Sequence, residues 1–440
     1  MGGLIHVNKM GNLNLLSDNV SINYIDFAVE KISSVNLNWI GKIIQWLIEG
    51  VGIIGLGIIL FTLILKTIVL PLDIYSRYKM KKQSLLMKAM RPQMEKLQKQ
   101  YANDKAMYNQ KVMELQKSHG ISMFGACLPM IVSLIIFMVV FSSFSTYSQY
   151  ANLQSYNGMV DSYNASVAQY VLIEEGKEEI INENGFLIKT VDVALGTPAY
   201  LVKFDAFLEV HNKDEDEQLI KAEDFNALSE AEKMVYVRDY VRKGARVAAA
   251  DYYRENNNSF LWVKNIWYPD SLLNKEVPNF SNFSSSISRA SGSGLGSTYE
   301  ESYDEVTWYL RHDGHPDGKL EGKTYNGYFI LIILAIGLMF LQQFIAMRTQ
   351  KDANDLSTVD GSGARTNKWM LILMPVIYGI FSFFYSAAFS IYMITNTIFG
   401  LVTMVILNKI MDVRFKKKAE SGELFQPKNK SKTINRKRLK

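Results

Sequence analysis

"FTLILKTIVLPLDIYSRYKMKK", residues 61–82, begins apolar, carries a single lysine at Lys66 and turns basic after Pro71. Its first half belongs to an apolar block from 43 to 72, long enough to cross a hydrocarbon core about 30 Å thick. Further apolar blocks occupy 123–145, 327–347 and 369–409, separated by charged segments. The last is about twice the length of one span, so it is expected to fold as two helices meeting near "FYSAAFS", residues 384–390. The expected fold class is an all-α polytopic membrane protein with a five-helix transmembrane core, a helical hairpin, and a mixed or partly disordered insertion.

Orientation follows from lysine and arginine near the spans, because basic loops stay on the cytoplasmic side. Residues 73–122 hold eleven Lys or Arg against four acids, and 412–440 hold another eleven basic residues. Five crossings put both segments on one side and the N-terminus on the other. The expected order is then an extracellular N-terminal segment (1–50), a first span (51–72), a basic cytoplasmic hairpin (73–122) and a second span (123–145). An acidic extracellular insertion (146–326), a third span (327–347) and a cytoplasmic loop (348–368) follow. Two more spans (369–386 and 389–410) and a basic cytoplasmic tail (411–440) complete the chain. The start lacks the basic, apolar and small-residue succession of a signal peptide, so the first span is expected to be retained.

Within the hairpin, Met94, Leu97 and Tyr101, then Tyr108, Val112 and Leu115, recur at three- and four-residue steps, which is the seam of a helical pair. "YANDK", residues 101–105, supplies the turn, and Pro92 is expected to interrupt the pattern. Ahead of the first span, "VNLNWIGKIIQWLIEG", residues 35–50, sets Trp39, Ile40, Ile43 and Leu47 on one helical face. Two readings stand for it, a helix lying in the membrane interface and a plain extension of the span.

In the insertion, Ser229 and Glu232 form a capping box ahead of an amphipathic helix. "NGFLIKTVDVAL", residues 184–195, reads as a strand or hairpin, and the Ser- and Gly-rich stretch 281–302 as a flexible linker. The only cysteine, Cys127, lies in an apolar block, which excludes an intramolecular disulfide and a cysteine metal cluster. "RHDGHPDG", residues 311–318, reads as a solvated turn in preference to a metal site. No cofactor or metal is expected, and no loop carries a phosphate-binding glycine pattern.

A lysine at the centre of a spanning helix costs about 2.5 to 3.5 kcal/mol, so such residues face a bundle interior or a watery cavity. Lys66 also lies within snorkelling distance of the basic end of its own helix. The residues alone leave both readings open.

"LILKTIVLPLDIYSRYKMKKQSLLMKAMRPQMEKLQKQYAND", "GACLPMIVSLIIFMVVF", "FLWVKNIWYPDS", "YFILIILAIGLMFLQQF" and "WMLILMPVIYGIFSFFYSAAFSIYMITN" resemble, in that order, the core of the YidC/Oxa/Alb membrane protein insertases, bacterial single-membrane branch. The resemblance covers roughly 50–150, 260–272 and 326–410. It implies a hydrophilic groove, open to cytoplasm and lipid, that carries a basic residue at the position Lys66 matches. Gln343 and Asn396 fit the motif positions next best, and Ser133, Gln342 and Thr395 are further polar residues within spans. The implied function is a membrane insertase or chaperone, not an enzyme, working without nucleotide hydrolysis in the plasma membrane. The implied partners are nascent membrane proteins, with the Sec translocon, a ribosome approached by the basic tail, and anionic lipids; DNA is not among them. The chain departs from the family in having lysine for the commoner arginine, "SAA" at 386–388 where proline and glycine are frequent, and a long insertion.

Two other classes compete. A small-solute transporter or channel predicts repeats or helices broken in mid-membrane, and the sequence has no internal repeat. A receptor or scaffold accounts for the insertion and leaves the hairpin and Lys66 without a role.

Overall fold

The computed structural model describes residues 21–23, 27, 29–119, 123–175, 178–180, 185–191, 198–211, 220–256, 258–291, 295–312, 324–349 and 362–420. Their helices are α1 (Trp39–Val51), α2 (Ile54–Gln100), α3 (Lys105–Ser118), α4 (Met123–Ala168), α5 (Phe204–His211), α6 (Ala222–Asn226) and α7 (Glu230–Glu255). After these come α8 (Phe280–Ser291), α9 (Ser297–Val306), α10 (Trp308–Arg311), α11 (Ile330–Thr349), α12 (Ser362–Phe384) and α13 (Ala387–Glu420). The strands are β1 (Ser21–Asn23), β2 (Val171–Glu175), β3 (Glu178–Ile180), β4 (Leu187–Val191) and β5 (Pro198–Val202). The chain divides into two compact units: Leu37–Ser148, Asn258–Asn274 and Tyr325–Lys440 form a helical unit, and Met1–Asn36, Gln149–Asn257 and Lys275–Thr324 form a mixed one.

In the helical unit, Ile54–Leu86, Ile330–Arg348 and Ala387–Lys417 are long and apolar enough to cross a membrane, among the described residues. The other two apolar blocks lie in α4 and α12. α1 is a separate helix. The Asn38 side chain accepts the Gly41 N–H at its start, and Gly52, in the left-handed region at φ 73°, ends it. Ile40, Ile44, Leu47 and Ile48 of α1 are buried, while Trp39, Ile43 and Trp46 are exposed. The single face read from sequence is therefore two adjacent stripes about 120° apart at 100° per residue, and one of them packs on α2. The approach is close enough that a Cβ on Gly57 would lie 2.9 Å from Ile48 Cα.

α2 runs without a break through Pro71 and Pro92, which corrects the expected interruption at Pro92. An interior proline costs about 3 kcal/mol locally. Here Met90 and Met94, on either side of Pro92, are both buried in the seam with Tyr108 and Val112, and that shared packing holds the helix together. Leu97, Tyr101 and Leu115 complete the same seam. The turn 101–104 closes with Asp104 capping α3 through the Met107 N–H. Toward the root of the hairpin, α2 stays beside α13: Tyr78 stacks on Phe415 at 5.1 Å, and Lys81 pairs with Asp412 at 2.6 Å.

The segment 258–274 fixes two helix starts, where N–H groups lack intrahelical partners. The buried Asp270 carboxylate accepts the N–H groups of Tyr328 and Leu331, each at 2.7 Å, and so caps α11. Tyr268 and Ile266 carbonyls accept the N–H groups of Ala387 and Ala388, each at 2.9 Å, at the start of α13. Asn326, fully buried, ties the same segment through the backbone of Asn265 and Pro269. Gly327 is required, since a Cβ there would lie 1.9 Å from Asp270 Oδ1.

The mixed unit has a five-stranded sheet in the order β1-β5-β4-β2-β3, with β2 and β4 parallel and the other pairs antiparallel. β4, which falls within the stretch 184–195 read from sequence as a strand or hairpin, pairs antiparallel with β5; residues 184 and 192–195 lie outside the described residues. Leu153, Tyr156, Val160, Tyr163 and Val167 of α4 meet Val237, Val241, Ala245 and Ala249 of α7 in one core. α7 starts with the complete Ser229/Glu232 capping box.

Residues 281–291 and 297–302 are helical and not a flexible linker, belonging to α8 and the first half of α9. Phe280, Phe283 and Ile287 recur on one helical face and are buried, Phe280 and Phe283 against Tyr303 and Phe283 also against Tyr156; residues 292–294 lie outside the described residues. Of the acidic runs, 176–177 and 214–217 lie outside the described residues, as do 313–318 of the histidine-containing loop and the tail from 421.

Candidate functional site

Lys66 sits in α2, half-buried, twelve residues after the start of the helix. That is about 18 Å along an axis that crosses a hydrocarbon core of about 30 Å. Its neighbours at i±3 and i±4 are Leu63, Thr62, Val69 and Leu70, none of them charged. Among the described residues Lys66 makes no hydrogen bond and no ion pair within 4 Å. Its electrostatic neighbours are Asp73 and Arg77, further along the same helix.

The end of the bundle near the α12–α13 turn is filled with rings. Phe61 of α2 packs edge-on against Phe144 of α4 at 5.6 Å, and Phe144 meets Tyr392 of α13 at 5.3 Å. Phe141 joins Phe381 and Tyr385 at 5.5 and 4.5 Å, and Phe389 at 5.0 Å. Lys66 lies five residues beyond Phe61, about 7.5 Å toward the hairpin. Polarity therefore changes along α2, from a closed aromatic zone to a cation and then to the charged face of Asp73 and Arg77.

Arg77 turns its guanidinium away from its own helix: Nη2 lies 3.5 Å from the Gly400 carbonyl of α13. A Cβ on Gly400 would lie 2.6 Å from Gln342 Nε2, so α11 and α13 touch at this glycine. Gln342 and Arg77 thus converge on Gly400, one turn past Asn396 on the same face of α13. Gln342, Gln343 and Asn396 are half-buried and without hydrogen bonds among the described residues. Thr395 is satisfied within its helix, its hydroxyl donating to the Ile391 carbonyl at 2.9 Å. Ser133 belongs to α4, and its side chain lies outside the described residues. The sequence reading counted Arg77 only as a hairpin charge and used Asp73, seven residues on, only as the end toward which Lys66 snorkels; the further step of four residues to Arg77 was the signal it did not use.

Among the described residues no group of three or more His, Cys, Asp or Glu side chains is arranged to hold a metal. In the hairpin, burial pushes the Tyr108 phenol up from its usual range. It is a seam residue rather than a reactive one.

A bundle of apolar helices, three of them long and apolar enough to cross a membrane among the described residues, defines a polytopic membrane protein. A family model described as 60Kd inner membrane protein matches residues 46–175 and 247–417, more than half of the chain. The chain belongs to that family, the YidC/Oxa/Alb proteins, and is a multi-pass plasma-membrane protein. It is 42% identical over 91 residues to "Membrane protein insertase YidC" of Fusobacterium nucleatum, covering 21% of this chain and 42% of the relative. The protein of the same name from Caldanaerobacter subterraneus is 34% identical over 113 residues, 26% of this chain and 53% of the relative. That from Geobacter sulfurreducens is 32% identical over 117 residues, 25% and 21% respectively. The chain thus spans about half or less of the relatives it matches.

Proposed function

We propose that this chain is a membrane protein insertase and chaperone that receives nascent hydrophobic proteins on a polar surface among α2, α11 and α13 and releases their spans into lipid. The observation that carries the reading is Lys66, a half-buried cation within a spanning helix and without an ion-pair partner among the described residues. A charge kept there at a cost of about 2.5 to 3.5 kcal/mol calls for a wet cavity. Gln342, Gln343 and Asn396, with hydrogen-bonding groups unused among the described residues, line it in this reading, joined by Thr395 on α13 and Ser133 on α4. The aromatic zone around Phe141 and Phe144 closes the outer end, and the hairpin end stays open.

The mechanism needs no bond chemistry and no nucleotide. A hydrophilic substrate segment enters the wet groove from the hairpin side, which shortens the apolar barrier it has to cross. The apolar segment that follows moves sideways into lipid, and burial of its surface supplies the free energy. Lys66 hydrates the groove and attracts acidic residues of the translocated tail. In this reading the hairpin and the basic tail face the cytoplasm, where the tail meets ribosomal or lipid phosphates, and the mixed unit lies outside. The Sec translocon is a further candidate partner.

The test is complementation in a bacterial strain depleted of its own insertase, with equal expression of each variant. Wild type and Lys66→Arg restore growth and insertion of a single-span substrate with an acidic tail, Lys66→Ala weakens both, and Lys66→Glu abolishes them. Failure of the well-expressed wild type overturns the insertase reading.

A further inference from the structure

We infer that α2 carries a second anion-binding position at Arg77, and that Asp73 is a built-in carboxylate competing with acidic substrate segments for both cations. The inference rests on the insertase reading above and concerns how that surface handles substrate charge. The uninterrupted helix through Pro71 puts Lys66, Asp73 and Arg77 within about 40° of one line, at 100° per residue. The steps between them are about 10 Å and 6 Å. Counted from Ile54, Asp73 falls near 28 Å and Arg77 near 34 Å, so with a core of about 30 Å Asp73 marks the boundary and Arg77 lies just beyond it. Three half-buried charges thus lead from the hairpin side toward the middle of the bundle.

None of the three is consumed by its neighbours. Among the described residues neither Asp73 nor Arg77 forms an ion pair within 4 Å, although they stand four residues apart. Arg77 instead extends toward the Gly400 carbonyl, a long contact that occupies one of its five N–H donors. The rest of the guanidinium fork is available, and a fork binds a carboxylate through two parallel hydrogen bonds. Lys66, a point charge with three rotatable donors, holds the same group less specifically.

A substrate carboxylate arriving from the hairpin side meets Arg77 first and Lys66 about 16 Å further in. Asp73, between them, repels the arriving carboxylate and attracts each cation in turn. Transit along such a path requires binding strong enough to admit the group and weak enough to release it. Asp73 sets that balance.

The experiment uses the full chain reconstituted in phosphatidylcholine vesicles, with equal amounts of wild type, Arg77→Gln, Arg77→Lys, Asp73→Asn and Lys66→Ala. Insertion is read as the protease-protected fraction of a single-span substrate whose translocated tail carries several aspartates or the same number of asparagines. The acidic-to-neutral ratio is expected to fall about five-fold in Arg77→Gln, recover largely in Arg77→Lys, and rise about two-fold in Asp73→Asn. An unchanged ratio in Arg77→Gln and Asp73→Asn, while Lys66→Ala still lowers it, overturns this inference and leaves the insertase reading intact. Wild type that inserts neither substrate overturns both. An Arg77 effect that follows added phosphatidylglycerol and ignores tail charge makes Arg77 a lipid-headgroup anchor and overturns the proposal.

Discussion

Asp270 accepts the backbone N–H of Leu331 across sixty-one positions of sequence, at 2.7 Å, and the N–H of Tyr328 at the same distance. A carboxylate contributed from outside the helix thereby satisfies the donors that the start of α11 leaves unpaired.

Replacing it leaves buried N–H groups without partners. Asp270→Ala is expected to lower stability by about 1 to 3 kcal/mol, with Asp270→Asn milder because one oxygen remains. Denaturant unfolding in detergent micelles measures both. Equal stability of Asp270→Ala and wild type contradicts the capping role.

The hairpin seam is small, so a single truncation weighs heavily on it. Met94 is fully buried against Tyr108 and Val112, and Met94→Ala is expected to cost about 2 kcal/mol locally, the low end for a buried methionine. Amide hydrogen exchange across 105–118 should then quicken about thirtyfold, with α11 and α13 unaffected. Unchanged exchange in α3 would mean the seam is not what holds the hairpin.

Ser229 donates to Glu232 through its hydroxyl and its backbone N–H, and these bonds hold the Glu232 carboxyl below its ordinary value of 4.5. A depressed folded-state value contributes stability that is fully present above 4.5 and is lost as pH falls through the lower folded value. Protection of the first turn of α7 should therefore drop on acidification below that range. Ser229→Ala, which removes the hydroxyl and keeps the backbone N–H, should weaken the pH dependence, as followed by hydrogen exchange on a pH series.

Within the mixed unit, Glu305 receives both Nε and Nη2 of Arg246, at 3.0 and 2.8 Å, and the Tyr163 hydroxyl at 2.9 Å. Burial, reinforced by Glu305 itself, pushes the Tyr163 phenol well above its usual range, so it remains a donor. Glu305→Ala strands a mostly buried guanidinium and should cost about 3 kcal/mol, Glu305→Gln less. Thermal unfolding should show the order wild type, Gln, Ala; a different order would mean that the network does not stabilise the unit.

Sequence made the helical hairpin legible because its seam is written at helical spacing in an otherwise polar segment, where every apolar residue carries information. Within the spans that contrast disappears. Lys66 stood out as a lone cation, yet Asp73 and Arg77 merged with the hairpin charges because nothing in the residues marks where α2 leaves the membrane. The segment 281–302 was misread for the opposite reason: serine and glycine dilute Phe280, Phe283 and Ile287, and only their partners Tyr156 and Tyr303, far away or later in the chain, make the helix pay its way. The joining of 258–274 to the start of α13 depends on backbone hydrogen bonds, which leave no trace in side-chain pattern, and the Asp270 cap on α11 lies sixty-one positions from Leu331, beyond any local capping signature.

In the proposed mechanism nascent chains pass along a polar surface among α2, α11 and α13. A photo-crosslinking amino acid placed at Asn396 or Gln343, and at the exposed Ile333 of α11 as the reference, tests it directly with ribosome-stalled single-span substrates. Adducts are expected at Asn396 and Gln343 while the translocated tail is emerging, shifting toward exposed span positions as the chain lengthens. Adducts at Ile333 alone, or at none of the three positions at any chain length, would contradict the mechanism.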